Sequence, residues 1–366
     1  TIAIIDKYFG SWKKSDNLSR PEFSAQPDLT AVKDTAVVGK DAENVMLAWK
    51  FKGANDKEND VLDVISEMLT NGKAGLMEVD LEQQMKIAAA SAFTYGLHDY
   101  SAFIVAGTPN KDQKLEEARA LLLDEMAKLR RGKFDNDLLP SVIANKKLNY
   151  YKGLDDNEER TNIMVDAFIN DQKWADVGSK LDRQSKLTKQ DIVDFAKKYL
   201  RDDNFVCVYK RMGEDTTLKK IEKPAITPIP ANREYESDFV KEIKNAKVPD
   251  IQPQFLDFKK DLTVTKTSKK LPLIYKQNTQ DDLFNLTFRY EFGDEDDIRY
   301  SYAAQYLNYI GTDKKSVSAI KQAFYKLACN YSIVQGSKTL QINLNGLNEN
   351  LPAALNLMEE ILHHAK

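Results

Sequence analysis

Two Glu–His pairs close to residue 360 have the spacing of possible metal ligands. Glu359 precedes His363 by four residues, and Glu360 precedes His364 in the same way. On a helix this spacing places a carboxylate and an imidazole on one face, and both groups are zinc ligands. The alternative is structural, because protonated histidines interact favourably with the C-terminal end of a helix. We favour the structural interpretation.

Two other polar groups also have a chemical and a structural interpretation. His98 is the third of the three histidines and lies in Gly96-Leu97-His98-Asp99, which we interpret as a solvated hairpin. Residues 294–297 are four consecutive acidic side chains. They could bind a cation, but we favour a solvated turn whose carboxylates cap the following helix.

Residues 283–312 form the stretch around which the other predicted elements are arranged. Large apolar side chains occupy every second position from Phe284 to Phe292, and this period of two predicts a half-buried strand. The acidic turn follows, and then a helical segment over 300–310 that closes with Gly311-Thr312. Aromatic side chains of this strand and helix could line a peptide groove, although we favour an ordinary core between the two elements. They are Phe288, Tyr290, Phe292, Tyr302, Tyr306 and Tyr309.

Hydrophobic periodicity and turn residues predict further elements on both sides of this stretch. Before it we expect a helix over 2–9, a strand over 45–51, helices over 61–69 and 76–87, strands over 89–95 and 100–107, helices between 115 and 200 and a strand over 205–209. Strands over 262–265 and 271–275 precede it, and a helix over 320–328, a strand over 340–344 and a helix over 351–362 follow it. Five prolines between 211 and 253 predict an extended linker.

The predicted elements repeat with a constant offset. Gly72 and Gly311 end equivalent helices 239 residues apart, and Gly107 and Gly346 end equivalent strands at the same distance. One fold used twice explains this spacing. Its order of strand, two helices, two strands and helix predicts an α+β fold, with helices packed on a largely antiparallel sheet.

The strand, acidic turn, helix and Gly-Thr together resemble the first αβ unit of the pitrilysin/insulinase-type zinc metallopeptidases. In that family the helix carries H-x-x-E-H, which begins nine residues before the Gly. In this chain those positions hold Tyr302, Gln305 and Tyr306, so they are degenerate. Tyrosine is a poor zinc ligand because its phenol has a pKa of about 10, and glutamine cannot act as a general base. We therefore predict no catalytic residue and no metal ligand at these positions.

The first copy has an equally degenerate site. An offset of 239 places Asp63, Ser66 and Glu67 at the three positions. A zinc peptidase needs neutral imidazoles, a third ligand and a free glutamate to activate water, and neither copy provides this set. We expect no cofactor in this chain, and the resemblance implies zinc in the first domain of a longer parent protein.

The resemblance divides the chain into four parts. Residues 1–27 look like the end of a preceding domain, residues 28–212 like an inactive peptidase-like domain, residues 213–254 like a linker and residues 255–366 like the first half of a second such domain. Residues 69–76, with the sequence Leu-Thr-Asn-Gly-Lys-Ala-Gly-Leu, resemble the family's turn between the first two helices. Since both ends lie at helices, we expect a piece of a longer chain.

Two functions follow from this resemblance. The chain is expected to be the non-catalytic portion of a zinc metalloendopeptidase, forming chamber wall and peptide-binding surface. The alternative is a structural or peptide-binding partner of an active homologous peptidase. The implied partners are a peptide or unfolded protein substrate and the parent's remaining domains or a homologous subunit.

Composition excludes other classes of partner. A formal net charge of −3 argues against nucleic acid, and no apolar run approaches the roughly 20 residues of a membrane span. Cys207 and Cys329 form no C-x-x-C motif and are expected to be free and buried. The resemblance to this family suggests a bacterial protein of the periplasm or cell envelope.

Overall fold

The chain forms both helices and strands in a computed structural model that describes residues 2–19, 21, 23–217, 222–229 and 231–366. The helices are α1 Ile2–Phe9, α2 Glu58–Leu69, α3 Leu115–Arg130, α4 Leu138–Leu154, α5 Asn157–Ile169, α6 Trp174–Gly178, α7 Lys180–Ser185, α8 Lys189–Tyr199, α9 Asp238–Asn245, α10 Arg299–Tyr306, α11 Val317–Lys326 and α12 Leu351–His364. The strands are β1 Lys33–Gly39, β2 Asn44–Lys52, β3 Ala89–Gly96, β4 Tyr100–Thr108, β5 Val206–Met212, β6 Thr263–Lys266, β7 Pro272–Tyr275, β8 Leu283–Tyr290, β9 Cys329–Gln335 and β10 Leu340–Leu347.

The first sheet has the strand order β1-β5-β2-β4-β3. Every neighbouring pair is antiparallel except β1 and β5, which are parallel. Every second residue of β2 and β4 is buried against α2 and α3, so the alternation in the sequence marks the core face of the sheet. Trp49, Phe103 and Phe205 are fully buried at its centre.

The second sheet repeats part of this arrangement. Its strand order β8-β10-β9 matches the order β2-β4-β3 of the first sheet. In the second sheet β10 pairs with both β8 and β9, just as β4 pairs with both β2 and β3 in the first. The α+β fold with two copies of one unit is therefore confirmed. The second copy is incomplete within the described residues, since β8 lies at the edge where β2 has the neighbour β5.

Four elements differ from the sequence prediction, and one of them is strand β9, where no strand was expected. The helix expected over 76–87 is only a short turn that continues as the π-helix Glu78–Glu82, because the chain reverses through Met85 at φ 53° to enter β3. Strand β1 was not expected, since six of its seven residues are exposed and carry no alternating pattern. Helix α9 was also not expected, and Ser237 caps it by accepting a hydrogen bond from the Val240 N–H inside the predicted linker.

The expected core of aromatic residues between β8 and α10 is wrong. Tyr302 and Tyr306 are 68% and 64% exposed, and Phe288, Tyr290 and Tyr309 are also exposed. The physical reason is the missing cover: α2 packs against α4 and α7 in the first copy, whereas α10 contacts mainly β9 in the described part of the chain. The aromatic side chains of the second copy therefore form an open surface.

The two copies pack against each other through α4 and α11. Tyr325 of α11 is 4% exposed and belongs to the core of the first copy. The side-chain amide of Asn145 donates to the Tyr325 carbonyl at 2.7 Å, and Lys326 reaches Asp137 at 3.0 Å. The Tyr325 hydroxyl is buried without a hydrogen-bond partner among the described residues, and this burial raises the pKa of its phenol.

Tyr325 should stabilise this contact by its ring alone. We expect Tyr325→Ala to lower the free energy of unfolding by about 3 to 5 kcal/mol, because it leaves a cavity in a packed core. Tyr325→Phe should stay within about 1 kcal/mol of the wild type, because the hydroxyl that it removes has no partner. Urea unfolding of the three proteins measures both values. An equal loss in the two variants would show that the hydroxyl, and not the ring, holds the copies together.

Candidate functional site

The degenerate positions of the first copy lie on the wall of a cavity. Asp63 and Glu67 project from α2 into a space of about 790 Å³. Strand β3, helices α4 and α5 and the segment from Asn170 to Gln184 form the remaining walls. Ser66 turns its hydroxyl back to the Leu62 carbonyl at 2.9 Å and is therefore unavailable as a ligand.

Asp63 is held by cations of the protein itself. One of its carboxylate oxygens forms ion pairs with Lys146 at 2.8 Å and Lys180 at 3.0 Å, and it accepts a hydrogen bond from the Gln184 side-chain amide at 2.9 Å. Burial would raise the pKa of Asp63, but Lys180 and Lys146 lower that pKa to about 2. Two ammonium groups thus neutralise this carboxylate and tie α2 to α4 and α7.

Glu67 lies one helical turn from Asp63 in a different electrostatic setting. The carboxyl group is half-buried, and this burial raises its pKa, while the charge of Lys146 opposes the effect. Among the described residues, no lysine, arginine or histidine nitrogen lies within 4.0 Å of the Glu67 carboxylate. Glu67 is therefore an acidic group on the cavity wall without an ion-pair partner.

Strand β3 is the free edge of the first sheet, and side chains cover half of it. The Glu82 carboxylate accepts the Ala90 N–H at 2.6 Å, and the Thr70 hydroxyl accepts the Ala92 N–H at 2.9 Å. Since alternate residues of an antiparallel edge strand point their N–H groups outward, Thr94 and Gly96 are the next outward residues. Both line the cavity, and no side chain of the described residues caps the Thr94 backbone.

The rim of the cavity contains His98. The imidazole lies 2.6 Å from the Asp99 carboxylate and 2.8 Å from that of Asp171, which follows α5. The side-chain amide of Gln172 donates to the Ala54 carbonyl at 2.9 Å. His98 lies in the expected hairpin between β3 and β4 and is partly exposed, but its contact with Asp171, which connects the turn to the opposite wall of the cavity, was not expected.

The degenerate positions of the second copy have a different setting. Tyr302 and Tyr306 are exposed on α10, and the Gln305 amide is 3.4 Å from the Ser301 hydroxyl of the preceding turn. Among the described residues, none of the three side chains lines the cavity beside α2 or has a hydrogen bond to a histidine. They provide no arrangement for acid–base or metal chemistry.

The other ion sites considered from the sequence serve local structure. Glu360 accepts hydrogen bonds from Lys315 at 2.5 Å and Thr312 at 3.0 Å, and His364 lies 3.8 Å from Asp313. In the acidic turn, Asp296 accepts the Gly293 N–H at 2.8 Å. Within the described ranges, no three histidine, cysteine, aspartate or glutamate side chains are placed to hold one metal ion.

Comparison with known proteins supports the family resemblance over part of the chain. Residues 1–146 match the sequence profile described as the Peptidase M16 inactive domain. The chain resembles a non-catalytic portion of the M16 peptidases. The zinc protease PqqE of Helicobacter pylori (strain ATCC 700392 / 26695) is 25% identical over 212 residues, which cover 56% of this chain and 46% of that protein. The resemblance to the pitrilysin/insulinase-type family is therefore confirmed.

Solved structures show the same M16 fold. The crystal structure of a protease from Helicobacter pylori matches with a TM-score of 0.54 and 20% identity, over 57% of this chain and 52% of that chain. The periplasmic protease PqqL from Escherichia coli matches with a TM-score of 0.45 and 12% identity, over 100% of this chain and 43% of that chain. The chain thus spans about half the length of the relatives that it matches. In the described residues, no helix has the length and apolar character required to cross a membrane.

The ion-pair network at Asp63 should stabilise the fold in a pH-dependent manner. Because the folded-state pKa of Asp63 is about 2 and its ordinary value is 3.8, the contribution is present above about pH 4 and is lost as the pH falls towards about 2. We expect Asp63→Asn to lower the free energy of unfolding by about 2 kcal/mol near pH 7 and by clearly less near pH 3. Urea titrations at the two pH values measure this, with Asp166→Asn on exposed α5 as the control. A loss that does not change with pH would contradict the assignment.

We also predict that this chain by itself holds no stoichiometric zinc. The positions of the family's motif carry Asp63, Ser66 and Glu67 in one copy and two exposed tyrosines in the other. Elemental analysis of the purified chain after dialysis should give far less than one zinc per chain, and a quenched-peptide assay should show no chelator-sensitive cleavage. One tightly held zinc would reveal a site outside these positions, and Glu360 and His364 would be the first residues to substitute.

Proposed function

We propose that this chain is a non-catalytic portion of a zinc metalloendopeptidase, in which the first copy forms chamber wall and a peptide-binding surface. The observation that carries the proposal is the opening of the β3 edge at Thr94 and Gly96 into the cavity beside α2. An extended peptide can add to such an edge as a further strand, with main-chain hydrogen bonds providing affinity.

The partly covered edge favours a defined binding position. Thr70 and Glu82 already occupy the outward N–H groups of Ala92 and Ala90, so a peptide can pair without displacing a side chain only near Thr94 and Gly96. This short segment lies beside Asp63 and Glu67, which stand where an active copy would carry its ligands. The chain would therefore hold an extended segment next to a wall that has no means of cleaving it.

The second copy supports contact with further domains. Exposed aromatic surface on a protein often marks an interaction site, and α10 and the turn after it expose Tyr302, Tyr306 and Tyr309. The free edge of β8 lies in the same copy. We infer that remaining domains of the parent, or a homologous subunit, cover this surface, and that the zinc of the parent lies in its first domain. The periplasmic or cell-envelope location stays a prediction.

Backbone-modified peptides test the strand-addition mode. A labelled extended peptide of about nine residues should bind the chain in an anisotropy titration. N-methylation of the alternate residues that face β3 should weaken binding at least about tenfold, because it removes the donors of the main-chain hydrogen bonds. Methylation of the intervening residues is the matched control and should have little effect. Equal loss in both peptides, or no binding by the parent peptide, would contradict the proposal.

A further inference from the structure

The cavity beside β3 has a definite orientation with respect to a peptide on that edge. Ala92 is buried on the helix side of the sheet, whereas Phe93 and Tyr95 face the other side and are 40% and 58% exposed. In a sheet, residues directly opposite each other point to the same face. A peptide paired with β3 would therefore direct every second side chain towards α2 and the cavity.

Helix α2 runs antiparallel to β3, which places Glu67 close to Thr94. At one end the Thr70 hydroxyl contacts the backbone of Ala92. At the other end Gly96 approaches Ala54, which lies before the start of α2. One turn back from Thr70, Glu67 is thus beside the uncapped part of the edge, and both Glu67 and Thr94 line the cavity.

Four of the five basic side chains that line the cavity, all except Lys173, are already engaged with other carboxylates. Arg183 pairs with Asp60 at 2.7 Å, and Lys57 pairs with Asp176 at 3.5 Å. Lys146 and Lys180 both bind Asp63. More carboxylates than basic groups line the walls, and Glu67 is the one beside the open strand edge. A cation that enters here would gain an ion pair without breaking one.

We propose that this cavity selects extended peptides with a lysine or arginine side chain, which the Glu67 carboxylate binds. The inference rests on the proposed strand addition to β3. Tyr150 and Ile163 line the same cavity and offer apolar surface for the hydrocarbon stem of such a side chain. A half-buried carboxylate interacts more strongly with a cation than a solvated one does, because water screens it less.

A comparison of lysine with norleucine isolates the charge. In extended peptides of about nine residues, lysine is placed in turn at successive central positions, and the matched peptides carry norleucine, which keeps most of the stem and lacks the ammonium group. We expect the lysine peptide to bind about tenfold more tightly at alternate positions, those that face α2. A peptide with glutamate at the same position should bind more weakly than the norleucine peptide. Because burial raises the pKa of Glu67, the preference should fade as the pH decreases.

Two variants locate the interaction. Glu67→Gln should abolish the preference for lysine over norleucine, since glutamine keeps the shape of the side chain but lacks its charge. Asp166→Asn removes the same charge from another wall of the cavity and should retain the preference. Peptides that bind with no preference, or a preference that Asp166→Asn removes as fully as Glu67→Gln, would overturn this inference and leave strand addition intact. If no peptide binds, the proposed function itself fails.

Discussion

The walls of the cavity depend on one carboxylate between two ammonium groups. Asp63 on α2 is bound by Lys146 from α4 and Lys180 from α7, so three helices that are far apart in sequence meet at one charge. Removing Asp63 would leave the ammonium groups of Lys146 and Lys180 without this carboxylate, and an unpaired, partly buried charge destabilises a fold. Lysine side chains from two other helices thus supply the positive charge beside this carboxylate.

These ion pairs hold α2, α4 and α7 in place around the cavity. With the three helices fixed, the space between α2 and β3 stays open, and the outward backbone groups of Thr94 and Gly96 face it. The covered half of the edge has a complementary role. Unpaired strand edges invite indiscriminate pairing with other chains, and Thr70 and Glu82 prevent this over Ala90 and Ala92. The uncovered part of the β3 edge, at Thr94 and Gly96, is short and lies beside the wall of the cavity.

The sequence allowed the repeated unit to be predicted, because its signals are local. Alternation marks β2 and β10, a capping box at Thr188 and Asp191 marks α8, and the offset of 239 residues relates the copies. The cavity could not be predicted. Lys146, Lys180 and Gln184 contact Asp63 in the folded chain, but they lie about 80 to 120 residues from it in the sequence. A single lysine among many gives no sign in the sequence of which carboxylate it will pair with. The Thr70 cap on β3 is likewise a tertiary contact.

The same reasoning explains why the aromatic residues of the second copy were assigned to a core. Periodicity reports which face of an element is apolar, but it does not report whether another element covers that face. In the first copy, α4 and α7 lie over α2, and the equivalent positions carry Asp63 and Glu67, whose charges require partners or water. In the second copy Tyr302 and Tyr306 occupy those positions and are exposed. The side chains at these positions therefore match their surroundings in each copy. Charged groups lie in a wall closed by lysines, and tyrosines lie on an exposed surface, which suits them because each has an apolar ring and a hydroxyl that tolerates water.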